Sequence, residues 1–246
     1  MRPQPGDERL LIMTPETITG GAVPKAELMQ SLGRMVRGLS ALFWGLPVAF
    51  IVCVETATSV LHSFNILAPV TVTAWLAFGV WQLGYFQKQE RIWILALDRA
   101  KLLCLVNLGL SPFLFWWSQL PGEPLFLAAV GLMAVSGLVF LSNLNLVLFR
   151  LAAMLPDESL RQETRQFTGL NRLLVAGVFL VALAWVILLD FPDKMPVVIA
   201  RLINSIPWNL NPGLLLFLVL LPLALTMAMI WKIKEMVMNS VFGDSR

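Results

Sequence analysis

The chain has 246 residues, 58% of them hydrophobic and only 13% charged, with a mean hydropathy of +0.77. A soluble domain carries about 25% charge, so about half that density points to lipid as the main solvent. The net charge of +3 is small, and no nucleic-acid partner is expected.

Residues 1–24 read as a loose tail, because Pro3, Pro5, Pro15, Gly20, Gly21 and Pro24 oppose a long helix. This stretch is polar and lacks a small-residue cleavage site behind an early apolar core, so a signal peptide is not expected. From 25 to 39, Leu28, Leu32, Met35, Val36 and Leu39 recur at helical spacing among Lys25, Arg34 and Arg37. The pattern predicts an amphipathic helix that leads into the first span or lies along the headgroups. The domain 1–39 is therefore a cytoplasmic tail with a lead-in helix.

Six spans are expected, at 40–61, 66–86, 102–120, 125–149, 173–190 and 213–231, within a membrane domain covering 40–231. The fourth is the clearest. Its uncharged run of about 25 residues, at ~1.5 Å of rise each, exceeds a hydrocarbon core of ~30 Å. It stops at Arg150, where a charged hairpin, 150–172, begins with Pro156, Asp157 and Glu158 and continues through Arg161, Glu163, Arg165 and Arg172. Asp157 reads as the N-cap of a short helix over 158–167, with acids first and arginines later, as the helix dipole favours. This knob is a candidate partner contact through Asp157, Glu158, Arg161 and Arg165, or simply a well-capped turn.

The outer connections are short at 62–65 and 121–124 and long at 191–212. In the long one, Val197, Val198, Ile199, Leu202, Ile203 and Ile206 predict a surface helix over 195–206, broken by Pro207 and Pro212. Residues 232–246 form a C-terminal tail. All basic residues except Lys194 and Arg201 fall on the side of the two termini, which predicts that both termini are cytoplasmic. The expected location is a multi-pass protein of the cytoplasmic (inner or plasma) membrane. Trp44, Trp81, Trp93 and Trp231 are expected at the inner interface and Trp116, Trp117 and Trp208 at the outer one, with Trp75 and Trp185 packing mid-span.

The odd spans open alike, at Leu32-Gly33-Arg34, Leu97-Asp98-Arg99 and Leu170-Asn171-Arg172, and Pro47 and Pro112 follow at the same offset in the first two. The echo fits three two-helix hairpins. It also fits the arginine anchor that every odd span needs. The fold class is thus all-α: a polytopic six-transmembrane-helix bundle, with a three-hairpin repeat left open.

Polar residues inside the spans are where any transport chemistry would reside. Glu55, Thr58, Ser59 and His62 lie at i, i+3, i+4 and i+7, on one face of span one. An unpaired carboxylate at membrane depth costs at least ~2.5–3.5 kcal/mol, so Glu55 must be protonated, paired or hydrated. Ser136, Asn143 and Arg150 recur every seven residues on span four, with Ser142 and Asn145 beside them, and Asn107, Ser111 and Ser118 lie along span three. Glu55, Ser59, His62, Asn107, Ser136 and Asn143 form the candidate ion or proton path. The same residues can serve as interhelical hydrogen-bonding groups. Spans five and six, nearly pure Leu, Val, Ala and Met, are expected to face lipid or a partner.

Enzymatic chemistry is not expected. One histidine cannot build a two-histidine metal or haem site, no span carries paired carboxylates, and Walker and Gly-x-Ser-x-Gly motifs are absent from the sequence. Cys53 and Cys104 read as small buried hydrophobes, and no metal or other cofactor is expected. Two functions remain from the residues. The leading one is a non-catalytic membrane subunit, a scaffold or permease-like component of a larger membrane assembly; the expected partners are the lipid bilayer and other membrane protein subunits, or a homo-oligomer. The other is a self-contained ion or small-solute transporter or channel using Glu55.

Overall fold

In the computed structural model the described residues are 25–58, 66–86, 91–120, 122–154, 158–190 and 211–242. They form six α-helices: α1 (Lys25–Thr58), α2 (Leu67–Leu83), α3 (Arg91–Gln119), α4 (Pro124–Ala153), α5 (Glu158–Asp190) and α6 (Asn211–Phe242). The tail 1–24, the turn 62–65, Asp157, the expected surface helix 195–206 and the end of the C-terminal tail lie outside the described residues.

Four segments are long and apolar enough to cross a membrane: Met29–Thr58, Pro124–Ala153, Gln162–Leu183 and Leu216–Asn239. Helix α2 is apolar but shorter, at 17 residues. Helix α3 is long enough, at 29 residues, but carries Asp98, Arg99 and Lys101 in its first half.

Several helices outrun the apolar stretches that predict them. The lead-in over 25–39 and span one are one 34-residue helix, about 51 Å long. The expected knob over 158–167 is likewise the start of the 33-residue α5 rather than a separate element. In both cases the apolar stripe continues past the charges. Met35 and Leu39 are fully buried, with Leu32 and Val36 packed beside them. Thr164 and Thr168 continue the buried stripe of α5 toward its start. Pro212 stands in the first turn of α6, where a missing N–H costs nothing, and does not break it.

Each helix packs on the next in sequence, and α6 returns to α1, closing a ring. Further contacts join α1 to α3 and α4 to α6. The α1–α2 seam is held at close range by glycine. A Cβ on Gly38 would come within 2.9 Å of the Gly79 carbonyl oxygen, so the two backbones approach as only glycine allows. The core lies in the half of the bundle that carries the start of α1 and the end of α6. It is built from Met35, Leu39 and Leu42, Val80 and Leu83, Trp93 and Ala100, Leu144, Val147, Leu148 and Leu151, Ile230 and Ile233.

Two tryptophans depart from their expected places. Trp93 is fully buried in the core rather than at an interface, and its indole N–H has no acceptor among the described residues. Trp75, expected as a packing residue, is 45% exposed on the outer face of α2. Trp44, Trp81, Trp116 and Trp231 are exposed, as interface or lipid-facing rings should be.

Candidate functional site

Helix α4 carries the polar interior, and it carries it on two sides. On one side the Ser136 hydroxyl donates to Asn107 Oδ1 of α3, a buried hydrogen bond between two residues of the sequence-derived path. On the other, Asn145 Nδ2 donates to Thr226 Oγ1 of α6 at 3.0 Å, and Asn171 Nδ2 of α5 donates to the same oxygen at 2.9 Å. Thr226 in turn donates to the Pro222 carbonyl at 2.8 Å, while Asn145 Nδ2 also reaches the Leu141 carbonyl at 2.8 Å. Ser136 and Asn145 are nine residues apart. At ~100° per residue they point in roughly opposite directions, and about 13 Å of helix separates them. Fully buried Leu144 and Leu148 lie along the same helix.

Asn143, a further member of the expected path, bonds within its own helix. It is half-buried, and its Nδ2 donates to the Val139 carbonyl at 3.1 Å. Glu55 stands in the last described turn of α1, three residues before Thr58. It is half-buried. Ser59 and His62 lie outside the described residues. Nearby hydroxyls turn to their own backbone: Thr56 Oγ1 donates to the Val52 carbonyl at 2.7 Å and Thr58 Oγ1 to the Val54 carbonyl at 2.9 Å.

Of the expected partner contact, Arg165 is exposed on α5, and Glu158 and Arg161 belong to the same helix. One turn away, Glu163 accepts from Lys232 of α6, whose ammonium also lies 5.8 Å from the centre of the Phe167 ring. This joins the charged ends of α5 and α6. Both side chains are about half exposed, so the pair is a clasp rather than a large stabilising term. Arg34 of α1 stacks over Tyr85, just past α2, with its guanidinium 4.7 Å from the ring centre.

The Asn145–Thr226–Asn171 node is what sequence reasoning missed, and it corrects the expectation that helices five and six are outward-facing only. Helix α6 buries Thr226, Met229, Ile230, Ile233 and Val237 against α1, α4 and α5. The signal was faint. Thr226 is the one hydroxyl in an apolar span, four residues after Pro222, and Asn171 sits where an anchoring turn was expected.

Among the described residues no group of three or more His, Cys, Asp or Glu side chains could hold a metal ion. Cys53 and Cys104 are free thiols on different helices. No family model matches the chain, and neither a curated protein nor a solved structure is similar to it. The class defined by the fold is a helical protein with apolar helices suited to lipid contact.

Proposed function

We propose that this chain is a six-span, non-catalytic membrane subunit, a structural component of a larger membrane assembly, with both termini on the cytoplasmic side. The observation that carries the reading is the division of the buried polar groups. Asn107 and Ser136 pair with each other, and Asn145, Asn171 and Thr226 pair on the opposite side of α4. Polar groups spent in this way fasten helices together and do not line a shared path.

The packing of α2 and α3 on their neighbours supports crossing by both. Helix α2 runs antiparallel along α1, with Gly38 opposite Gly79 and Gly45 opposite Leu76. Helix α3 runs along α4, from Asn107–Ser136 to the ring contact of Phe113 with Phe126. Two helices packed so far along spanning helices share their depth. At 17 residues α2 covers about 25 Å, enough with slight local thinning of the bilayer.

The start of α5, where Arg165 is exposed, is the surface offered to another subunit. Reversing charge at Arg161 and Arg165 together is expected to release a co-purifying chain while leaving the helical content unchanged. Unchanged co-purification would refute this contact. A transporter using Glu55 is the competing reading, and its test is flux through proteoliposomes.

A further inference from the structure

The node at Thr226 leaves a buried acceptor without a donor among the described residues. Thr226 Oγ1 accepts from both Asn145 Nδ2 and Asn171 Nδ2, which occupies its lone pairs. Its single hydrogen has two candidate acceptors, the Pro222 carbonyl at 2.8 Å and Asn145 Oδ1 at 3.3 Å, and the shorter contact takes it. Asn145 Oδ1 is then left without that donor. Asn171 Oδ1 is buried with no partner among the described residues, in a residue of 0% exposure.

One turn away on the same face of α5, the buried Thr168 hydroxyl also has no partner among the described residues. That is the unusual feature. A helical threonine or serine can rotate to bond a carbonyl three or four residues back, and Thr56, Thr73, Ser111 and Thr226 do so. Thr168 leaves that bond unmade and holds its hydroxyl beside the stripe that carries Asn171.

We infer that the α4–α5–α6 node is a binding site for one water molecule, which donates to Asn171 Oδ1 and bridges it to Thr168 Oγ1. Geometry favours water. Side chains at i and i+3 on a helix have Cβ atoms about 5–6 Å apart, and one water with two bonds of ~2.8 Å spans about 4.5 Å between its partners. Chemistry favours it as well. The oxygens here are amide and hydroxyl, with no carboxylate in the cluster to balance the charge of a cation taken from water. A buried water with two or three polar partners is a regular part of protein interiors and costly to remove. In this bundle it satisfies two buried polar atoms of α5 beside the one bond, from Asn171 to Thr226, that ties α5 to the α4–α6 contact.

The test is a map of the full chain in lipid nanodiscs at a resolution that shows ordered solvent, read together with thermal unfolding of variants. The inference requires a solvent peak within hydrogen-bonding distance of both Asn171 Oδ1 and Thr168 Oγ1. It is overturned if Thr168 instead bonds its own backbone with no peak beside it. Thr168→Val and Asn171→Ser should each lower the melting temperature, and the double variant should lose less than the two shifts combined, because one bridge is lost once. Thr168→Ser, which keeps the hydroxyl, should restore the parent value. Additive shifts with no rescue by serine would overturn the bridge. A saturable rise in melting temperature specific to Na⁺, K⁺ or NH₄⁺ alone would overturn it in favour of a cation.

Discussion

Asn145 on α4 and Thr226 on α6 are 81 positions apart in sequence and meet at 3.0 Å through a buried amide and hydroxyl. Asn171 of α5 meets the same hydroxyl, so one oxygen ties three helices. Thr226→Val keeps the shape and removes the shared oxygen, leaving two buried amides short of an acceptor. Interhelical hydrogen bonds in membranes average about 0.6 kcal/mol and reach ~1.7, and loss of a doubly used acceptor belongs near the upper end. Unfolding of the variant in mixed micelles should show a loss of about 1–2 kcal/mol.

Ser136→Ala removes one bond, to Asn107, and leaves a single amide oxygen unpaired. The expected loss is smaller, about 0.5–1 kcal/mol. Measured in the same micelles, Ser136→Ala should rank below Thr226→Val, and the two should add, because they lie on opposite sides of α4.

Gly38→Ala places a Cβ 2.9 Å from the backbone oxygen of Gly79 and 3.0 Å from Gln82 Cβ, so α1 and α2 must part. Overpacking of this kind costs about 1–3 kcal/mol. Gly33→Ala, with nothing within 4 Å of the new methyl, is the control, and better helix propensity should make it neutral to stabilising by up to ~1 kcal/mol. Both are read by thermal unfolding in detergent.

The Lys232–Glu163 pair joins the charged ends of α6 and α5 on the surface. Lys232→Gln should cost no more than about 1 kcal/mol. That cost should shrink as salt is raised, because exposed pairs are screened. Unfolding at low and high ionic strength checks both.

The helices were legible in the sequence because long apolar runs have few alternatives: each of the six expected spans overlaps one observed helix. Their ends were not. Span one and span five were cut where charges begin, at 40 and 173, yet α1 and α5 continue back to Lys25 and Glu158. Hydropathy records where lipid ends, while helix length follows the buried stripe through Met35 and Leu39 or through Thr164 and Thr168. Pairing was harder still. Asn107 and Ser136 stood out singly as polar residues in apolar spans, and periodicity within one helix cannot say which neighbour each will meet. Periodicity did place Ser136, Asn143 and Arg150 on one face, but Asn143 turned back to the Val139 carbonyl and made no path. Thr226 is a lone hydroxyl in an apolar span and Asn171 reads with Arg172 as an anchoring turn, and only the fold brings them to Asn145. Trp93 was misplaced because aromatic rings near a charged boundary serve an interface and a core equally well.

The competing account turns on Glu55, at the last described turn of α1. A transporter that couples through this carboxylate should lose flux and its pH dependence in Glu55→Gln. The structural reading expects the variant to be assembled and stable as the parent is, with proteoliposomes of either one passing no solute above the protein-free background.

Most direct for the central claim is the mass of the particle extracted gently from its native membrane, with every co-purifying chain identified. A subunit should emerge in a discrete complex, at fixed stoichiometry with at least one other membrane protein. A particle made of the 27.4 kDa chain alone, single or self-associated, would contradict the assignment and move the weight to transport.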